Sequence, residues 1–294
     1  MALDIASYAA RVRVTDGAWG TQLQSLGLPP GACPELWNVE NPAAVERVAR
    51  GYVEAGSDVI LTNTFGGNRF VLAGHGAAGR AAELTAAGVA ISRRAAAGTD
   101  VLVFASLGPT GKLVMLGDVA PDEIAAAFAE CAAAAADQGA DAVVLETFNE
   151  LAELELALRG ARAGGLPVVA CMTFASGPRR QASMMGDRPE QLAEAGKRGR
   201  AAAVGANCGV GPDNYVAVAR TLAAAGGWPV WIKANAGLPQ IAPGGRTVFP
   251  MGPEQFASHA PALVEAGAAF IGGCCGTTPD HIRAVRAALK ATGR

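Results

Sequence analysis

Eight short apolar runs alternate along the chain with longer alanine-rich segments, and this alternation restricts the folds that the chain can adopt. Several runs, such as VLVFASL and AVVLET, are almost continuously apolar, which is typical of parallel strands covered on both faces. Eight strands that alternate with helices favour a single (β/α)₈ TIM barrel over an open doubly wound sheet. The GxxG after the first run is a poor match to the GxGxxG of dinucleotide-binding sheets. The predicted strands are 11–16, 58–64, 101–107, 142–147, 167–174, 201–208, 229–235 and 269–274.

Prolines and glycines mark the ends of the intervening helices. Pro42 fits the first turn of a helix, and the side chain of Asn41 before it can cap the free amides. Other prolines are predicted at helix starts, and glycines, which tolerate a left-handed backbone, at helix ends. These residues are Pro121, Pro189, Pro212, Pro253, Pro279, Gly56, Gly139 and Gly267.

The composition indicates one globular unit without a nucleic acid or membrane partner. Hydrophobic residues make up 51% of the 294 residues and charged residues 17%, so residues 1–294 can fill the core of one barrel domain. The formal net charge is −2, with no long run of one sign to attract nucleic acid or an anionic membrane. The N-terminus lacks an export signal and most cysteines lie in apolar runs, so a reduced, cytoplasmic location is predicted.

Polar and thiol residues follow several apolar runs, at the strand ends where barrel enzymes place their chemistry. Cys208 follows the sixth run, and Cys274 and Cys275 follow the eighth. Three thiolates and one open position are typical of a catalytic zinc site, and strands six and eight of a closed barrel are one strand apart. Adjacent residues of a regular strand point to opposite faces, so the glycines around this pair must let the strand end or bulge. Taken from the residues alone, buried unliganded thiols are an equal alternative.

That alternative is favoured for the remaining thiols, Cys33, Cys131 and Cys171, since none follows a comparable strand end. Lys233 follows an apolar run, which predicts a buried and paired ammonium group without an assigned role.

Six motifs along the chain resemble those of a known family, the homocysteine S-methyltransferases. In family order they are DGAWGTQL, LTNTFGGN, LETF, GANCGVGP, ANAGLP and GGCCGTTP. The resemblance implies a (β/α)₈ barrel with a Zn²⁺ site formed by Cys208, Cys274 and Cys275 at the carboxyl ends of the strands. It therefore favours liganded over unliganded thiols at these positions. The expected reaction is in-line attack of a zinc-bound homocysteine thiolate on an electrophilic methyl group, to give methionine.

The amino acid end of homocysteine needs partners of its own in such a site. Asp16 and Glu146 can accept charge-assisted hydrogen bonds from the ammonium group, and the resemblance favours both positions near the substrate. A helix cap or a surface ion pair is the alternative for each. Thr64 and the amides around Gly17 are predicted to bind the carboxylate.

Two asparagines complete the predicted set. Asn207 is predicted to orient the loop beside Cys208. Asn235 is predicted to contact the substrate or to occupy the fourth zinc position when the substrate is absent, and a turn position within ANAGLP is an equal alternative.

The methyl donor is predicted from a narrower resemblance. NTFGGN, NAGLP and GCCGTTP are most similar to the homocysteine-binding module of cobalamin-dependent methionine synthase, which implies methylcobalamin as donor. Because the chain ends with its barrel, a separate corrinoid protein is expected to carry it. S-methylmethionine or betaine as donor, or another small thiol as acceptor, are alternatives. A non-catalytic zinc-binding barrel is the alternative of another class, and the acidic residues at the strand ends argue against it.

Overall fold

All eight apolar runs form strands of one parallel sheet in the computed structural model, which describes residues 3–242, 247–291 and 293. Around the ring, each strand pairs with its neighbours in the order β1-β8-β7-β6-β5-β4-β3-β2. A parallel bridge between Thr15 and Val59 joins β1 to β2 and closes the ring. The predicted TIM barrel is therefore confirmed. The strands are β1 Arg13–Val14, β2 Val59–Ile60, β3 Leu102–Leu107, β4 Ala142–Phe148, β5 Val168–Met172, β6 Ala203–Cys208, β7 Val230–Ala234 and β8 Ala268–Gly273.

The first two strands are shorter than predicted because side chains replace part of their hydrogen-bond ladder. The Leu61 amide donates to Asp16 Oδ2 at 2.7 Å, and the Ser106 amide donates to Thr62 Oγ1 at 3.1 Å. These polar groups lie where the predicted strands 11–16 and 58–64 were to continue, so the backbone ends its regular pairing there.

Helices cover the outside of the barrel. Each of the six prolines predicted at a helix start is the first residue of its helix. Gly56, Gly139 and Gly267 follow helix ends with φ of 89°, 77° and 98°, as predicted. The helices are α1 Ile5–Tyr8, α2 Gly20–Ser25, α3 Trp37–Glu40, α4 Pro42–Glu54, α5 Arg69–Ala73, α6 Ala81–Ala96, α7 Pro121–Asp137, α8 Leu151–Ala161, α9 Pro189–Gly199, α10 Pro212–Ala224, α11 Pro253–Ala257, α12 Ala260–Glu265 and α13 Pro279–Ala291.

The predicted cap at Asn41 is wrong, since its side chain makes no cap hydrogen bond. Asn41 ends α3, with its amide donating to the Trp37 carbonyl, and its ψ of 58° lies outside the extended range usual for a capping residue. Short 3₁₀ turns (Pro34–Leu36, Ala78–Arg80, Val114–Leu116, Arg162–Gly164) and a hairpin (Gln240–Ile241 with Thr247–Val248) complete the described elements.

Aromatic side chains fill the amino-terminal half of the barrel. Trp231 packs against Phe104 and Phe270, with ring centroids 5.9 and 4.9 Å apart. Gly205 makes room for it, because a Cβ there would lie 2.0 Å from the Trp231 carbonyl oxygen. Polar residues occupy the carboxyl-terminal half. The barrel therefore has an apolar core at one end and potential ligands and hydrogen-bonding groups at the other. Within the described residues, no helix has the length and apolarity to cross a bilayer.

Candidate metal centre and substrate cavity

A cavity of about 410 Å³ opens at the carboxyl ends of the strands. Five of the nine predicted site residues lie on its wall, namely Gly17, Glu146, Cys208, Cys274 and Cys275. The other four are buried close behind the wall, namely Asp16, Thr64, Asn207 and Asn235. The search for polar residues at strand ends therefore located one continuous site. The structure adds that some of its residues face the cavity and that the others support them from behind.

The three cysteines converge on one point. Their Sγ atoms all lie within 4.8 Å of one another. Cys208 is the last residue of β6 and has a left-handed φ of 64°. Since β8 ends at Gly273, Cys274 and Cys275 lie beyond the regular pleat. The alternation of side chains therefore does not separate them, as the glycine-rich sequence predicted.

Backbone and hydroxyl contacts fix this loop. The Cys274 amide donates to the Ala234 carbonyl at 2.7 Å, and Thr277 Oγ1 donates to the Cys274 carbonyl at 2.7 Å. A Cβ on Gly273 would lie 2.3 Å from Thr277 Oγ1, so the loop closes this tightly only with glycine there. These contacts of the loop position Cys274 and Cys275.

The thiols are also polarised. Hydrogen bonds from Cys274 and Cys275 lower the pKa of Cys208 to about 3, whereas the pKa of Cys275 is raised to about 12 and that of Cys274 well above its usual range. The thiolate of Cys208 is therefore stabilised by hydrogen bonds from the thiols of Cys274 and Cys275. By contrast, burial is the main cause that raises the pKa of Cys131 to about 12, and burial together with the neighbouring Glu35 raises that of Cys33 to about 11. These two and Cys171 are buried, as predicted.

The thiol cluster fits a zinc ion. Tetrahedral coordination with Zn–S bonds of about 2.3 Å places sulfur atoms about 3.8 Å apart, which is compatible with the observed cluster. Thiolates are ligands that zinc prefers, and three of them leave one position for another ligand. Because all three cysteines line the cavity, that position is accessible from it.

Glu146 is a buried carboxyl beside the cavity, with 7% of its surface exposed. Ser106 Oγ donates to its Oε1 at 2.5 Å, and Asn207 Nδ2 lies 3.5 Å from its Oε2. Burial raises the pKa of Glu146, and the charge of Lys233 partly offsets this. A cationic ligand group would therefore relieve the cost of ionising this carboxyl.

Asn207 stabilises a strained, irregular segment of β4 next to Glu146. Thr147 has a left-handed φ of 68°, which is unfavourable for a β-branched residue. The Thr147 amide donates to Asn207 Oδ1 at 2.7 Å, and Asn207 Nδ2 donates to Thr147 Oγ1 at 2.7 Å. The hydroxyl of Tyr215 donates to the Asn207 carbonyl at 2.7 Å. One buried side chain thus links the ends of β4 and β6.

Asp16 is completely buried, and its two oxygens have three protein donors. Lys233 Nζ pairs with Oδ1, while Trp19 Nε1 and the Leu61 amide each donate to Oδ2 at 2.7 Å. Lys233 is itself 2% exposed and lines the cavity. Its predicted burial and pairing are confirmed, but its place beside the candidate substrate site was missed. A lysine inside the run VWIKANAG was the available signal.

The remaining predicted residues have different surroundings. Thr64 Oγ1 donates to the Ser106 carbonyl at 2.6 Å and contacts Thr62 Oγ1 at 2.5 Å, so this hydroxyl is engaged within the wall. Asn235 Nδ2 donates to the Gly209 carbonyl at 2.7 Å. Its Oδ1 is buried and finds no partner among the residues that the structure describes. Gly17 allows a close approach, since a Cβ there would lie 2.7 Å from Thr277 Oγ1.

Glu35 also lines the cavity and was missed. It is 2% exposed, accepts a hydrogen bond from the Gly66 amide at 2.6 Å and contacts Cys33 Sγ at 3.2 Å. Glu35 belongs to a 3₁₀ turn in the loop after β1 rather than to a strand end. Strand-end reasoning therefore had no means of finding it.

The fold and the site define a parallel eight-stranded barrel with a candidate three-cysteine metal centre in the cavity at the carboxyl ends of its strands. A profile of the family described as homocysteine S-methyltransferase matches residues 13–289. The chain belongs to this family of methyltransferases.

Curated relatives agree with this assignment, and a solved structure has the same fold. The chain is 37% identical to methionine synthase of Mycobacterium tuberculosis over 98% of its own length and 25% of that protein. It is 36% identical to methionine synthase of Mycobacterium leprae, over 96% of its own length and 24% of that protein. The chain thus spans about a quarter of the curated relatives that it matches. The metallated homocysteine methyltransferase MmuM of Escherichia coli has the same fold, with a TM-score of 0.76, 24% identity and coverage of 94% of this chain and 96% of that one.

Proposed function

We propose that this protein transfers a methyl group to the thiolate of homocysteine and so forms methionine, with Zn²⁺ held by Cys208, Cys274 and Cys275. The observation that carries the proposal is the convergence of these three thiols within 4.8 Å on the wall of a cavity of about 410 Å³. Family membership supplies the reaction class. The buried carboxyl of Glu146 on the same wall distinguishes this cavity from a purely structural metal site, which is closed by protein ligands.

The chemistry requires a deprotonated acceptor. A thiol with a pKa near 8.5 is mostly protonated at neutral pH, whereas the thiolate is the nucleophile. Zn²⁺ in the three-thiolate site supplies the positive charge that favours loss of the acceptor proton to solvent. The acceptor sulfur then bonds to the methyl carbon as the bond from that carbon to the donor breaks. The electron pair of the broken bond stays with the donor.

The chain's own residues position the acceptor. Glu146 faces the cavity with a carboxyl whose burial disfavours its charged form, so it gains most from the positively charged amino group of the substrate. Asn207 keeps Glu146 and Cys208 in place, because it hydrogen-bonds to Thr147, the residue after Glu146, and is itself the residue before Cys208. The two ends of the acceptor are thereby held from β4 and β6, which are separated by β5 alone.

We further propose that the donor is a methylcorrinoid carried by a protein partner or module. Large apolar side chains are exposed around the cavity mouth, in loops after β2, β3, β5 and β7, with exposures from 41% to 75%. They include Phe65, Leu113, Met115, Leu116, Met184 and Ile241. Large apolar side chains exposed on several loops at one end of the barrel favour an interaction surface there, which a small soluble donor does not require. The likeness to methionine synthases supports the same choice.

The test is a methionine-formation assay on zinc-loaded protein with homocysteine. Methylcobalamin, S-methylmethionine and betaine are supplied in parallel, since each tests one donor. Methionine from methylcobalamin, lost in Cys275→Ala and retained in Cys131→Ala, is the expected result, because Cys131 is a buried thiol outside the cavity. Methionine from a small donor alone would replace the corrinoid proposal. Zinc-loaded protein that makes no methionine from any donor would contradict the homocysteine assignment.

A further inference from the structure

His281 is a buried histidine whose ring is hydrogen-bonded at both nitrogens. It is the third residue of α13. The Thr278 amide donates to its Nδ1 at 3.2 Å, and its Nε2 lies 3.0 Å from the Met251 carbonyl oxygen. Because an amide N–H can only donate, Nδ1 is the acceptor, so the neutral ring carries its proton on Nε2. His281 therefore donates that proton to the Met251 carbonyl.

Met251 connects this ring to the loop of the thiol cluster. The Met251 amide donates to the Ala236 carbonyl at 3.0 Å, and the Ala236 amide donates to the Cys275 carbonyl at 3.0 Å. The hydrogen bonds thus form a closed circuit that begins and ends in the segment carrying Cys275. We call it the Cys275 circuit, and its members are Cys275, Ala236, Met251, His281 and Thr278.

His281 contributes the one side chain of this circuit, since its other members take part through their backbones. Phe256 on α11 packs edge-on against the ring, with centroids 5.7 Å apart. The chain just before Met251 also covers the residue after Cys275, because a Cβ on Gly276 would lie 2.2 Å from Phe249 Cγ. The segment that His281 holds at Met251 is therefore in direct contact with the Cys275 loop.

The two adjacent thiols of this loop are held by different contacts. The Cys274 backbone is bonded to Ala234 of β7 and to the Thr277 hydroxyl, and neither bond belongs to the Cys275 circuit. The Cys275 carbonyl is bonded to the Ala236 amide, which does belong to it. Loosening the circuit would therefore move Cys275 relative to a Cys274 that stays in place.

We propose that His281 is a positioning residue of the metal centre and that, through the Cys275 circuit, it sets the place of the Cys275 thiol relative to the other two thiols. This inference rests on the proposed function, because zinc is the ligand that the three thiols would share. Both ring nitrogens are engaged, so His281 acts through the backbone and not as a fourth ligand. Residues behind the ligands of a metal typically contribute about 10–100-fold to its affinity.

Two substitutions separate the two bonds of the ring. His281→Asn keeps an acceptor at the position of Nδ1, for the Thr278 amide, but its side chain ends before the position of Nε2. His281→Gln places a donor near the position of Nε2, and glutamine as the third residue of a helix can still accept the preceding amide. His259→Asn is the matched control, because His259 precedes α12 and makes no side-chain cap hydrogen bond.

Co²⁺ binding measures the effect on the metal centre without turnover. A chelator titration gives the affinity, and the Co²⁺ absorption bands report the arrangement of the thiolates. We expect His281→Asn to weaken Co²⁺ binding by about tenfold or more and to shift the bands, while His281→Gln and His259→Asn stay within about threefold of wild type. Unchanged affinity and bands in His281→Asn, whatever its stability, would mean a merely structural role and would overturn the proposal. Equal losses in His281→Asn and His281→Gln would overturn it too.

Metal-free protein tests the circuit independently of the metal. Hydrogen exchange of the Ala236 amide should be about tenfold or more faster in His281→Asn than in wild type, and an unchanged rate refutes the circuit. If His281→Asn does not fold, nitrogen NMR of the wild-type imidazole decides: a proton on Nε2 alone supports the circuit, and a proton on Nδ1 refutes it. Wild-type protein that binds no Co²⁺ would contradict the proposed zinc site itself, and the role of His281 in positioning a metal would fall with it.

Discussion

Replacing Asn207 with alanine tests the link between the strained segment of β4 at Thr147 and the candidate metal centre. Asn207 is completely buried and makes two hydrogen bonds of 2.7 Å with Thr147, one to its amide and one to its hydroxyl. Asn207→Ala removes both and leaves a left-handed β-branched residue, with φ of 68°, without the partners that hold it there.

The magnitude follows from these contacts. Each lost hydrogen bond is worth about 1 kcal/mol net, and a buried donor left unsatisfied adds about 1–3 kcal/mol. Part of this is recovered when Thr147 relaxes from its strained backbone conformation. We therefore expect the free energy of unfolding to fall by about 2–4 kcal/mol. Relaxation of β4 at Thr147 should also displace Glu146 and Cys208, and so weaken zinc binding.

Urea unfolding of metal-free protein measures the change in the free energy of unfolding. It is read from the shift in the urea midpoint, provided that the dependence of the free energy on urea concentration is unchanged. A competitive chelator titration measures the change in zinc binding. Asn214→Ala is the matched control, since Asn214 also donates to two carbonyls, of Phe174 and Arg180, but is partly exposed, so that water replaces those bonds. A loss below about 1 kcal/mol for Asn207→Ala, or one no larger than the control's, would refute the reasoning.

Three further predictions follow from the site. Wild-type protein should hold one zinc ion per chain by elemental analysis, and chelation or Cys275→Ala should abolish this binding. The control Cys171→Ala should retain the zinc ion. Full zinc content in Cys275→Ala would contradict the three-thiol site. Burial raises the pKa of Glu146 above its ordinary 4.5, so folded protein holds this proton more tightly than unfolded protein and loses stability as pH rises through the raised pKa. Glu146→Gln should remove this loss, so the free energy of unfolding of the metal-free variant should rise relative to that of wild type from pH 4.5 upward. A relative rise only at lower pH would contradict the raised pKa. Asp16→Asn leaves Lys233 buried without its counter-charge. It should therefore lower the free energy of unfolding by about 3–5 kcal/mol in the same urea assay. An unchanged free energy of unfolding would show that the pair is not buried as described.

The periodic parts of the fold were predictable from sequence because they depend on neighbouring residues. Apolar runs predicted all eight strands, and prolines predicted six helix starts, since missing N–H groups and fixed φ act locally. The strands β1 and β2 were predicted too long, because the side chains of Asp16 and Thr62 bind backbone amides of the neighbouring strands, a pairing that depends on how the strands lie side by side. That information is absent from the runs themselves.

The sequence by itself determined the barrel and placed three thiols at the ends of its sixth and eighth strands, because residue type and spacing suffice for that. Tertiary structure alone decided which groups meet. Closure of the ring brought Lys233 onto Asp16, a distant residue that the sequence had presented as a substrate ligand. It also placed Asn207 against Thr147 and Glu35 against the cavity. The physical reason is that a side chain's partner depends on strand register and loop path, which are set by many long-range contacts together and by no single local pattern.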